Sequence, residues 1–152
     1  MSIPVFYNSG SGAGALTDII VAIETRLIAL GFHVTEEVFD FEAVPDSIID
    51  KAFRIESAQL KAEYFAGNAG AEGTEEISIW IAYKALRKPR SVWKTSLNDR
   101  ETIEADLLKS ATIAALASNP ILQMNREAST QKHVHDYIVS KLVFETNYLK
   151  TL

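Results

Sequence analysis

The feature that most narrows the fold is a change of period along the chain. Ile77, Ile79, Ile81 and Tyr83 alternate with Ser78, Trp80, Ala82 and Lys84. Only an extended strand puts every second side chain on one face. Upstream, "KAFRIESAQLKAEYF" reads as a second strand over about 52–65. The stretch between them, "AGNAGAEGT" at 66–74, is too long for a two-residue turn. The pair is therefore predicted to be an antiparallel hairpin with a glycine-rich tip. A tip this polar has little to pack on a core, which makes Gly67, Asn68 and Gly70 candidates for contact with a partner.

On either side of the hairpin the apolar spacing is helical. Leu16, Ile19, Ile20, Ile23, Leu27 and Leu30 recur at three and four residues, Thr17 is a plausible N-cap, and Gly31 suits a left-handed C-terminal position. These signals predict a helix over about 16–30. A second helix is predicted from Asn98 and Glu101, which have capping-box spacing, through Ile103, Leu107, Ala111 and Ala114 to the stop at Asn119-Pro120. In "VHDYIVSKLVFETNYL" the even positions Ile138, Leu142, Phe144 and Tyr148 predict a last strand over about 134–149. Phe32, Val34, Phe39 and Phe41 suggest one or two short strands after the first helix. Strands that cluster between helices, without alternating with them, give an α+β class: a mainly antiparallel β-sheet with two helices packed on one face.

A chain of 152 residues with 47% apolar and 23% charged residues suits one core. Residues 1–14 read as a flexible N-terminal arm because small residues crowd Ser9 to Gly12. Residues 15–152 read as a single domain. The net charge of −5 argues against sequence-independent nucleic-acid binding. With no cysteine there is no thiolate or disulfide chemistry. The first residues lack the basic region and apolar run of a signal peptide, and no apolar run approaches the ~20 residues of a membrane span.

The search for chemistry finds no catalytic constellation. Gly10-Ser11-Gly12-Ala13-Gly14-Ala15 fits G-x-G-x-x-A, with the short candidate strand 3–7 before it and Glu36 or Glu37 about 20 residues on. The hairpin at 52–86 is the wrong continuation for a dinucleotide fold, and no lysine follows the glycines, so the phosphate-loop signature fails. His133 and His135 share a strand face at metal-compatible spacing, without an evident third ligand. Glu101, Glu104 and Asp106 stand near a predicted helix start, where acids favour the macrodipole without any catalysis. No cofactor and no metal are expected.

Two charged segments remain. Glu36, Glu37, Asp40, Glu42, Asp46 and Asp50 give one segment a negative face. Lys84, Arg87, Lys88, Arg90 and Lys94, with Trp93 among them, form a basic stretch after the hairpin. Each reads as a solvated surface or as a partner surface. The chain shows no recognition helix and no aromatic stacking platform, so specific nucleic-acid binding is not expected.

The order of a helix, an extended segment with "FDFEAVPDSIIDKAFRIE", a long hairpin, a helix and a final "LVFETNYL" strand resembles the tail terminator proteins of long-tailed bacteriophages, also called tail completion or minor tail proteins. The resemblance covers about residues 15–150, and the longer arm departs from it. It implies a non-enzymatic structural virion protein, assembled in the bacterial cytoplasm. Such a protein forms a ring, commonly a hexamer, at the head-proximal end of the tail tube. Its partners would be other copies of itself, the tail tube protein and the head–tail connector or stopper protein, with no membrane. The alternatives are another head–tail connector or neck protein, or a small nucleotide-binding enzyme built on the opening glycines. In the ring reading, Glu36, Glu37 and Asp40 of one copy face Arg87, Lys88 and Arg90 of the next.

Overall fold

The computed structural model describes residues 15–64, 70–109 and 121–151. The arm, Gly67, Asn68, and Ala111 to Pro120 lie outside the described residues. The first helix, α1, runs Ala15–Ala29. It ends where expected: Gly31 takes φ +101°, a value L side chains rarely adopt, and the Phe32 N–H donates to the Leu27 carbonyl at 3.0 Å. A two-residue strand β1, His33–Val34, follows, and then β2, Ala52–Tyr64, and β3, Gly70–Lys84. Helix α2 spans Pro89–Leu107, and β4, Ile121–Val134, and β5, Tyr137–Thr151, close the chain.

The five strands make one sheet in the order β1-β2-β3-β5-β4. Only the β1–β2 pair is parallel; the other three pairs are antiparallel. This is the expected α+β arrangement. Alternation in the central strands divides their residues between two cores. Ile77, Ile79, Ile81 and Tyr83 of β3, with Ile138, Leu142 and Phe144 of β5, pack against Ile19, Ile23 and Leu27 of α1 and Ile103 and Leu107 of α2. The opposite face carries Trp80, Ala82, Val139 and Tyr137, covered by Phe39 and Ile48 with Phe41 and Val44 beside them. Arg26 ties the helices together through a bidentate pair with Asp106, at 2.8 and 2.9 Å.

Four expectations need correction. Helix α2 begins nine residues before Asn98, with Pro89 in its first turn and no side-chain cap at Lys88. Proline at that position loses no hydrogen bond and has its φ preset, and it starts the helix where a capping box was expected. Asn98 is interior, and its carbonyl accepts from the Thr102 hydroxyl. The helix ends at Leu107, so Glu101, Glu104 and Asp106 occupy its last turns, not its first. There they face the unfavourable end of the macrodipole. Glu104, which is buried, accepts from Ser129 Oγ, and Asp106 holds Arg26. Strand β4 was not expected at all. Residues 70–74 are strand, not tip, since Gly70 pairs with Thr151 and Thr74 with Lys61.

Candidate functional site

The basic segment leads from β3 into α2. Lys84 ends β3, and the Ala85 N–H donates to the Asp136 carbonyl at 2.8 Å, which anchors the segment to the β4–β5 turn. Beyond that anchor Leu86, Arg87, Lys88, Pro89 and Arg90 are exposed. Arg87, Lys88, Arg90 and Lys94 line an open cavity of ≈ 480 Å³ with Pro89 and Ser91. None of these four cations has an acidic partner among the described residues. Arg90 and Lys94 lie on the first turns of α2. The arrangement is suited to receive carboxylates.

The acidic segment shapes itself. The Asp40 carboxylate accepts from the N–H groups of Glu42 and Ala43 at 2.7 and 3.1 Å, a local turn built by a short acidic side chain. Ser47 donates its hydroxyl to the Glu37 carboxylate, whose oxygens lie 2.7 and 2.8 Å away. Glu42 pairs with Lys132 at 3.0 Å. Asp50 accepts from the Lys84 N–H at 2.8 Å, so the two charged segments touch at their near ends inside one chain. Between the strand ends, Arg54 donates to the Phe39 carbonyl at 3.1 Å and holds the segment to β2. Glu36 is exposed beside β1, where Glu24 lies within its field. Burial, and then the Glu36 charge, hold the Glu24 carboxyl above its usual range.

Of the residues singled out from sequence, Glu36, Glu37 and Asp40 lie on the connection after β1. Arg87, Lys88 and Arg90 lie by the β4–β5 turn. Among the described residues no ion pair joins these two groups within a copy, although their segments meet at Asp50 and Lys84 and again where Asp46 and Leu86 line one pocket. Gly70 is the first residue of β3. His133 and His135 do not share a strand face, because the chain turns at His135, whose φ is 50°. Among the described residues no group of three or more His, Asp or Glu side chains could hold a metal ion.

A cluster that sequence did not signal lies between β3 and α2. The Tyr83 hydroxyl donates to Asp99 at 3.0 Å, and Lys51 stands 3.6 Å from the same carboxylate. Burial first, and then the Asp99 charge, push the Tyr83 hydroxyl far up. The Tyr83–Asp99 bond joins β3 to α2. A second cluster lies on the open face of the sheet: Glu76 and Glu145 are register partners, and Glu127 approaches both. Loss of water around its carboxyl, then the Glu76 charge and hydrogen bond, then Glu145, raise the Glu127 carboxyl above its usual range.

No family model and no curated protein matches the chain. Among solved structures it shares its fold with a chain described as "Virion of native gene transfer agent (GTA) particle". The TM-score is 0.51 at 15% identity, over 93% of this chain and 99% of that one. At that identity the likeness is one of fold.

Proposed function

We propose that this chain is a structural virion protein that assembles into a ring at the head-proximal end of a phage tail tube, ends tube growth and presents a surface to the head connector. The observation that carries the reading is the fold shared, almost end to end, with a chain of a gene transfer agent virion. The site chemistry is in keeping with it. The exposed features are charged surfaces suited to protein contacts. The mainly antiparallel sheet also lacks the repeated parallel units that a dinucleotide site needs, which disfavours the enzyme reading.

In such a ring each contact is head-to-tail, so two different surfaces of one copy meet in neighbouring copies. Glu36 and Glu37 then come beside Arg87, Lys88 and Arg90 of the next copy. Glu37, which holds Ser47, and Asp40, engaged by its own turn, contribute less than Glu36. Exposed pairs are worth about 0–1 kcal/mol each, so they set register and association rate more than ring strength.

The test is electron microscopy of tail-tube protein polymerised with and without the purified chain. Tubes that stop growing and carry one ring at one end are the expected result. Tubes of unchanged length without end density overturn the terminator role. Binding to the head connector alone, with tube length unchanged, would make the chain a different neck protein.

A further inference from the structure

Among the described residues the sheet has two long edges without a pairing strand, and they match. Strand β1 pairs with β2 at only two positions, His33 with Ala52 and Val34 with Phe53. After Thr35, whose N–H donates to the Phe53 carbonyl at 3.1 Å, the chain leaves to cover the other face. Beyond Arg54 no described residue pairs with that side of β2. The bonds to the Lys51 and Phe53 carbonyls show which residues face outward, and the same alternation turns the N–H and C=O of Ile55, Ser57 and Gln59 to the open side. At the far side of the sheet, among the described residues, β4 pairs only with β5.

Natural proteins guard such edges with proline, lysine or bulges. Neither edge contains proline. Bulges occur at Gln59/Lys61 in β2 and Arg126/Ala128 in β4. They leave uninterrupted open stretches at 54–59 and at 128–134. These stretches lie on the same rungs of the ladder. Arg54 lies opposite Trp80, Trp80 opposite Lys141, and Lys141 opposite Thr130. Glu56 runs in the same way through Ser78 and Val143 to Ala128.

We infer that a second copy of this chain occupies the β2 edge with its β4 edge, and that this pairing, repeated head-to-tail, closes the ring. The direction of the strands supports this occupant. Three successive antiparallel pairs make β4 run opposite to β2. Copies related by rotation about an axis along the sheet therefore set β4 antiparallel to the neighbouring β2, which continues the pattern of the sheet. Edges at equal height let the copies join side by side without an axial step, as a closed ring requires; a step would give an open helix. Strand tilt in a closed sheet shifts the register by a few residues.

The inference rests on the ring reading above, and the test separates the two. The chain has no cysteine, so introduced thiols report alone. Ala58 and the pair Ala128 and Thr130 are exposed on the same face of the sheet. Ala58→Cys protein is mixed with Ala128→Cys or with Thr130→Cys protein and oxidised, and the products are read on a denaturing gel beside native mass. Covalent dimers in the mixtures, and not in either variant alone, are expected. The double variant Ala58→Cys/Thr130→Cys should give a ladder that stops at the copy number of the native particle. Dimers in an unmixed variant would show a two-fold contact and overturn the inference. An oligomer of parental mass without cross-links would overturn the edge pairing and leave the ring intact. A parent chain that stays monomeric would overturn the ring and the pairing together. As a second variant, Ser57→Pro removes an outward N–H. It should abolish the oligomer with an unchanged circular dichroism spectrum; an oligomer of full strength from this variant would count against the pairing.

Discussion

On the face of the sheet that carries Ile77, Ile79, Ile81 and Tyr83, two regular helices supply the cover. On the face that carries Trp80 and Ala82, cover comes from residues 35–50, which contain neither helix nor strand. The first cover satisfies its backbone internally and needs only an apolar stripe to hold it down. The second must have its polar groups met one by one. The carboxylates of Glu37 and Asp40, the carbonyl of Phe39 and the Glu42–Lys132 pair do this work. Phe41 then meets the Trp80 ring edge-on at 5.0 Å, with Lys141 4.7 Å over the same ring. Charge on this segment is thus partly scaffold, and composition alone does not separate scaffold charge from partner charge.

If the helix face carries most of the stability, Phe144→Ala should cost the most. Phe144 is fully buried among residues from both sides of that core. A loss of about 3–5 kcal/mol, read from urea midpoints, is expected. A loss below ~1 kcal/mol would show that the helical cover is loosely packed.

Phe39→Ala tests the other face. Phe39 is also almost fully buried, but the segment around it can settle into the gap, so a cost of roughly 3 kcal/mol is expected. Amide exchange should accelerate across 35–50 first, while α1 and β3 keep their protection. Uniform acceleration would mean that the two faces unfold as one unit. Asp40→Ala removes the acceptor for two N–H groups and should cost about 0.5–2 kcal/mol, as loss of a cap does. Asp40→Asn should recover most of it, since an amide oxygen can also accept. Equal stability of Asp40→Ala and the parent would contradict the scaffold role.

The smallest effect concerns pH. Glu127 titrates higher in the fold than in the unfolded chain, so its protonated form favours folding. Its contribution is present below the unfolded value and is lost as pH rises through the folded one. Glu127→Gln should therefore raise the melting temperature slightly near pH 7 and bring no gain in acid well below the ordinary glutamate range, where Glu127 itself is protonated. A gain that persists in acid would exclude charge repulsion as its cause.

Much of the helix face was legible in the sequence, because its signals are local and repeated. The apolar stripe from Leu16 and the turn at Gly31 place α1 within one residue of its observed ends. Alternation identifies most of β2, β3 and β5. Strand β4 was hidden because Gln123, Asn125, Ser129, Gln131 and Lys132 are poor strand formers, and β4 takes its structure from pairing with β5. The glycines of "AGAEGT" suggested slack, yet Gly73 is needed for a close approach. A Cβ there would lie 2.8–2.9 Å from the Tyr148 ring. That contact joins residues far apart in sequence, and no local pattern carries it. The charged segments were visible as such, but only the fold shows that Glu37, Asp40 and Glu42 have partners inside the chain, whereas Arg87, Lys88 and Arg90 have no acidic partner among the described residues.

Native mass spectrometry of the purified chain across protein concentration, at low and moderate salt, addresses the central claim most directly. A ring-forming virion protein should give one discrete oligomer, larger than a dimer, whose mass stays fixed as concentration rises and whose population falls with added salt. A chain that remains monomeric at every concentration, or that grows through an open-ended series of masses, would contradict the account.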